Sequence, residues 1–161
     1  EISGINQNNN DAVVINPLIT CGSCQECKTG REHLCQSRGL LGMTKPINRP
    51  GGFAEFVAVP NHNIFTIPAN ADLNSLSLTE PTAVAYHAIK IAEQSSFTKI
   101  QQSKILIIGG GAIGLLLALI LQAKDTQDIT IIDTNAKRLD VCKTASNLLR
   151  FALIIAGSVD K

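Results

Sequence analysis

Four cysteines fall within fifteen residues, spaced Cys21-x-x-Cys24-x-x-Cys27-x7-Cys35. Thiolates at this spacing suit a tetrahedral zinc site, because ligands close in sequence converge on one ion when the backbone curls around it. Gly22 and Gly30 permit that curl at low steric cost. Four protein ligands leave no open position for water or substrate, so the zinc expected here is structural. The competing reading is a set of disulfides. Disulfides between such near neighbours suit small secreted scaffolds, and the rest of the chain shows no such framework. Cys142 stands apart, in an expected helix. It reads as a small buried apolar residue, with a reactive thiol as the second reading.

A second constellation is Gly109-x-Gly111-x-x-Gly114. The pattern alone is weak, but its context is that of a dinucleotide-binding turn. The strand expected before it is Ile105–Ile108, a helix is expected over Ile113–Ala123, and a second strand, Ile129–Asp133, ends in an acid. Gly109 would make the tight turn, Gly111 would admit a pyrophosphate to the backbone, and Gly114 would let the helix pack on the strand. The amides at the helix start offer an anion site. Asp133 would accept hydrogen bonds from the adenosine ribose. A carboxylate there repels a 2′-phosphate, so NAD is expected over NADP. The alternative is an ordinary strand–helix–strand turn with a surface acid. Arg138 lies five residues on. Its guanidinium reads either as an adenosine contact or as a solvated helix charge.

The elements that must position these groups follow from pattern. Ala12–Asn16 reads as a strand ended by Pro17, and the cysteine lobe runs over residues 18–42 without periodicity, as a metal-clamped loop would. Gly51-Gly52 opens an expected strand, Phe53–Val59, and a further strand is expected over Asn63–Ile67. Asn74–Thr79 suits a helix start, with Pro81 in the first turn of a helix reaching Glu93. The parse is an α/β chain with a β-rich first part. The expected domains are 1–72, holding the cysteine lobe, and 73–161, holding the glycine turn.

Composition excludes several classes. The 161 residues carry a net charge of +1, no Trp and one Tyr, so neither a nucleic acid nor an anionic membrane surface is an expected partner. Ile105–Ala123 would pass a hydropathy test for a membrane span. Three successive glycines argue against that, at roughly 1 kcal/mol each in a helix. Strand, turn, helix is the better parse. No secretory signal is read, and thiols held for a metal fit a reducing, cytoplasmic compartment.

The chain resembles a family at this point. The phrase NPLITCGSCQECKTGREHLC, the segment Gly51-Gly-Phe-Ala-Glu-Phe56, Glu80-Pro81 and the glycine turn occur in the order seen in zinc-dependent medium-chain alcohol dehydrogenases. The sorbitol, polyol and sugar-acid dehydrogenase branch looks most similar. The resemblance implies part of a GroES-like catalytic domain with its structural zinc lobe, followed by part of a Rossmann domain. It implies zinc and NAD as cofactors, a small alcohol or polyol as substrate, and a homo-oligomer, dimer or tetramer, for the full-length enzyme. Glu80 matches an acid close to the catalytic zinc of that branch, although on the residues alone it reads as a solvated acid in a first helical turn. Ile113, Gly114, Asp133 and Arg138 match cofactor contacts. The family's Cys and Gly-His-Glu catalytic ligands have no match here, and the residues after 148 depart from its pattern. The expectation is a middle portion of a larger enzyme, inactive alone. The alternatives are a non-catalytic zinc-binding remnant, and a threonine or simple alcohol dehydrogenase.

Overall fold

In the computed structural model, residues 3–6, 11–43, 49–68, 70–145 and 150–153 are described. The chain forms two compact units, Glu1–Glu80 and Pro81–Lys161.

In the first unit β1 (Ser3–Asn6), β2 (Asp11–Ile15) and β5 (Ile64–Thr66) make an antiparallel sheet in the order β1-β2-β5. The β-branched centre of β2 is its buried part: Val13 and Val14 are 4% and 8% exposed. Pro17 cannot donate to a ladder, and the chain leaves the sheet there. It continues as β3 (Leu18–Ile19), which pairs antiparallel with β4 (Gly39–Leu40). The cysteine loop fills the interval between these two strands. Beyond β4, Gly42 and Gly51 meet backbone to backbone. Gly42 has φ +82°, and a Cβ on Gly51 would lie 2.8 Å from the Gly42 Cα.

The strand expected over Phe53–Val59 does not form. Residues 52–60 run as bends and irregular chain, with Phe53 and Phe56 exposed. A segment bounded by glycine and proline becomes a strand only where a neighbour supplies ladder partners, and among the described residues none pairs with this segment. The strand expected over Asn63–Ile67 is present in a shorter form as β5. Helix α2 (Leu73–Leu76) is capped by Asp72, whose carboxylate accepts from the Asn74 and Ser75 amides.

Helix α3 (Thr79–Ser95) carries Pro81 in its first turn, where a missing amide hydrogen is harmless. In the second unit β6 (Lys104–Ile108), β7 (Asp128–Asp133) and β8 (Arg150–Leu153) form a parallel sheet in the order β6-β7-β8. The rest of the apolar stretch 148–157 lies outside the described residues. Helix α4 (Ala112–Ala123) connects β6 to β7, and α5 (Ala136–Ala145) connects β7 to β8. The core is aliphatic: Ile107, Ala118, Leu121, Ile129 and Ile131 interlock with Leu139. Its burial of about 1.5–3 kcal/mol per large side chain holds the unit together. A short β-branched run such as Ile105–Ile108 is typical of a buried parallel strand. Instead Ile107 is buried while Leu106 and Ile108 are 58% and 81% exposed, because alternate residues point to opposite faces and the core cluster covers the face of Ile107. The apolar stretch 105–123 is strand, turn and helix, and among the described residues no helix is long and apolar enough to cross a membrane.

Helix α4 ends in a Schellman arrangement. Asp125 adopts φ +62°, its amide donates to Gln122 O, and the Thr126 amide donates to Leu121 O. Thr126 is buried, and its hydroxyl faces Ile100 O.

Candidate functional site

The cysteine loop is a succession of tight turns. Gly22 and Gly30 both take the left-handed conformation, φ +69° and +72°, that the sequence reserved for glycine. Between them a single helical turn, α1 (Gln25–Lys28), is capped by Cys24, and a 3-10 turn over Glu32–Leu34 delivers Cys35. The four sulfurs of Cys21, Cys24, Cys27 and Cys35 lie within 4.8 Å of one another. Individual separations are 3.4 Å for Cys24–Cys27, 3.6 Å for Cys21–Cys35 and 4.0 Å for Cys21–Cys27. Tetrahedral zinc with Zn–S bonds of about 2.3 Å needs sulfurs about 3.8 Å apart. The donor set fits that ion in number, element and spacing. The thiols are free cysteines, so the disulfide reading is not the one the geometry adopts.

Backbone amides already favour charge on these sulfurs. The Cys24 amide donates to Cys21 Sγ at 3.4 Å, and the Cys27 amide donates to Cys24 Sγ at 3.5 Å. Hydrogen bonds from the Ser23 amide and hydroxyl, with the Cys24 amide, bring the Cys21 thiol down to about 6. Cys24 feels the opposite balance. The Cys27 amide lowers it, but desolvation and the neighbouring Cys27 and Cys21 thiols push it up to about 12. Thiols this close cannot all ionise without a cation between them, and a divalent metal supplies that charge.

In the second unit the glycine turn is built as its sequence requires. Gly109 has φ +104°, and its amide donates to Ile132 O at 2.7 Å, tying the turn to β7. A Cβ on Gly114 would collide with the Gly109 carbonyl oxygen, which is how the helix packs directly under the strand end. Around Gly111 no atom stands where a Cβ would point, so its backbone is open to an approaching group. Ile113, in the first turn of α4, is 40% exposed. Gly110 packs at ordinary contact distance against the residues behind the turn. A Cβ there would sit 3.4 Å from Cys142 Sγ and 3.6 Å from an Asp133 oxygen. Its amide donates to Asp133 Oδ2 at 2.7 Å.

Asp133 therefore braces the turn from the end of β7. Its other oxygen accepts from the Asn135 amide at 2.7 Å, and the Arg138 guanidinium lies 3.7 Å away. These amides, Asn135 then Gly110, and the arginine hold its carboxyl below the usual carboxylate range. Cys142 is fully buried behind the turn, with its thiol 3.5 Å from Gly110 O, as the apolar reading expects. Burial, and after it the Asp133 charge, pushes this thiol up, away from reactivity. The role of Gly110 had no sequence signal beyond its place between two motif glycines.

Glu80 lies exposed in the first turn of α3. Among the described residues the four cysteines are the one group of three or more metal-ligating side chains, and Glu80 has no such group around it.

Residues 6–69 match the alcohol dehydrogenase GroES-like domain. An L-threonine 3-dehydrogenase of Pectobacterium carotovorum subsp. carotovorum is 36% identical over 125 residues, which are 78% of this chain and 34% of that protein. The crystal structure of galactitol-1-phosphate dehydrogenase from Escherichia coli superposes with a TM-score of 0.76 at 30% identity, covering 88% of this chain and 38% of that one. A Sinorhizobium meliloti protein, described as a zinc-binding dehydrogenase and solved with NADP, gives 0.78 at 29% identity, covering 93% and 41%. The chain spans about a third of the length of the curated relatives it matches.

Proposed function

We propose, for a chain that carries an alcohol dehydrogenase GroES-like domain and is a partial relative of zinc-dependent alcohol and polyol dehydrogenases, that it is the structural-zinc and nucleotide-turn portion of such an oxidoreductase. The observation that carries this reading is the tetrathiolate geometry of Cys21, Cys24, Cys27 and Cys35 in one chain with a glycine turn braced by Asp133. The four cysteines hold a zinc that acts as a structural cross-link. In the second unit Gly109, Gly111, Ile113 and Gly114 present backbone to a pyrophosphate, while Asp133 and Arg138 face the adenosine ribose. NAD, when bound, would accept hydride from a secondary alcohol. The carboxylate argues for NAD over NADP, although the Sinorhizobium relative holds NADP.

The residues described do not by themselves make a catalytic zinc site. Glu80 contributes one carboxylate, and a zinc with an open position needs about three protein ligands. No chemical step is assigned to this chain through such a metal. The whole protein's substrate is a small alcohol, with a polyol or sugar acid as first reading. Threonine is the second, favoured by the Pectobacterium relative. We place the protein in the cytoplasm, as a homo-oligomer when full length.

Metal analysis of the purified chain tests the reading. One zinc per chain is expected, lost on any Cys→Ser change among the four. Chelation should unfold the cysteine loop, since zinc contributes on the order of 10 kcal/mol to sites of this type. Four freely titratable thiols in metal-replete protein would sink it.

A further inference from the structure

Asn63 is a polar side chain sealed inside the first unit, 2% exposed, at the end of a 3-10 turn leading into β5. Its Nδ2 donates to two carbonyls far away in sequence, Asn16 O at 2.7 Å and Leu18 O at 2.8 Å. Its own carbonyl accepts the Asn16 amide at 2.8 Å. Its Oδ1 is buried and accepts from no group. A buried acceptor without a donor lowers stability, so this asparagine is poorly explained as packing and well explained by its two donors.

What the donors hold is the root of the cysteine loop. Residues 16–18 lead into β3, and Cys21 follows two residues after that strand. On the return side, Cys35 precedes β4, and the Leu41 amide just beyond β4 donates to Pro17 O at 3.0 Å. The Leu18 amide closes the same knot on Asn16 Oδ1 at 3.0 Å. Outgoing and returning strands are therefore pinned to one three-residue segment, which Asn63 pins to the sheet.

We propose that Asn63 is a positioning residue for the cysteine site: by clamping residues 16–18 it fixes the strands that set Cys21 and Cys35 side by side, 3.6 Å apart. The inference rests on the zinc reading given above. It assigns to a residue 28 positions beyond the last ligand (63 − 35) a share in holding the metal.

The test compares zinc release from the whole 161-residue chain, read with a chromophoric chelator, for wild type, Asn63→Ala, Asn63→Asp and Val13→Ala. Val13 is a core residue of the same sheet with no hydrogen bond to the loop root, and Val13→Ala serves as a control for general loss of stability. Both Asn63 variants should release zinc about tenfold faster or more, whereas Val13→Ala should keep the wild-type rate at a similar loss of urea midpoint. Equal acceleration in all three variants would overturn the proposal, as would no acceleration in the Asn63 pair. If the Asn63 variants fail to fold, linkage supplies a wild-type measurement. Removing zinc should then speed hydrogen exchange at the Asn16 amide, bonded to Asn63, more than at the Ile67 amide, bonded to Ala12 at the far end of the same strand pair. Equal change at both amides would overturn it. A wild-type chain that binds no zinc would overturn the metal reading first, and this inference with it.

Discussion

The carboxylate of Asp133 is held by two backbone amides and faced by the Arg138 guanidinium, and all three favour its charged form. Its folded pKa lies below the unfolded value of about 4. The stabilisation is thus fully present above that value and is lost as pH falls through the lower, folded one. Asp133→Asn should lower the urea midpoint at neutral pH, with the gap to wild type closing below about pH 4. A gap that stayed constant with pH would show that the amide contacts, not the charge, do the bracing. The same residue is the one proposed to set the cofactor preference, so Asp133→Ala should narrow any preference of NAD over NADP in a binding titration. Tighter NADP binding by the unaltered chain would remove the acid from that role. The bracing contacts are what the structure adds to the proposed ribose role, and nothing in the sequence signals them. A motif spacing announces an acid at a strand end, but not that Gly110 will reach back to it.

The glycine turn and the helix after it make the same point for elements. Gly114→Ala would drive a methyl into the Gly109 carbonyl. That should cost about 3 kcal/mol, measured by thermal unfolding, unless the helix moves off its strand. At the other end of α4, Asp125 occupies the left-handed position that glycine fills without strain. Asp125→Gly should raise stability by up to about 1 kcal/mol; a loss instead would mean the aspartate side chain repays its backbone strain. Elements built from contiguous signals were readable: β6, its turn, α4 and β7 follow from a β-branched run, three glycines, a helical stretch and a second β-branched run. The cysteine site was readable because its ligands are near in sequence. The strand expected at 53–59 does not form because strand formation depends on a partner elsewhere in the chain, and flanking glycines and a proline cannot say whether one arrives. Asn63 was unreadable for the same reason, since its partners lie 45 and 47 residues away.

At the scale of the molecule, one unit brings four cysteines together and the other holds a braced glycine turn, and among the described residues no second group of metal-ligating side chains is assembled. The chain is expected to show no NAD-dependent oxidation across a panel of polyols and threonine, because substrate activation needs a zinc with an open position and Glu80 alone cannot hold one. Robust metal-dependent turnover by the 161 residues would show that the catalytic ligands are differently placed. The free edge of β6, with Leu106 and Ile108 exposed above a groove lined by Ala88, Ala92 and Leu117, belongs to the same incompleteness and favours self-association at high concentration. The contact of Gly42 with Gly51 has a different kind of consequence. Gly42 and Gly51 approach each other backbone to backbone across the eight intervening positions. Loop-closure entropy grows slowly with length, so each doubling of the interval between the two glycines should cost only about 0.6 kcal/mol. In genetic terms, that segment is where insertions and deletions can accumulate, whereas the two glycines that close it are fixed by the lack of room for even one methyl group.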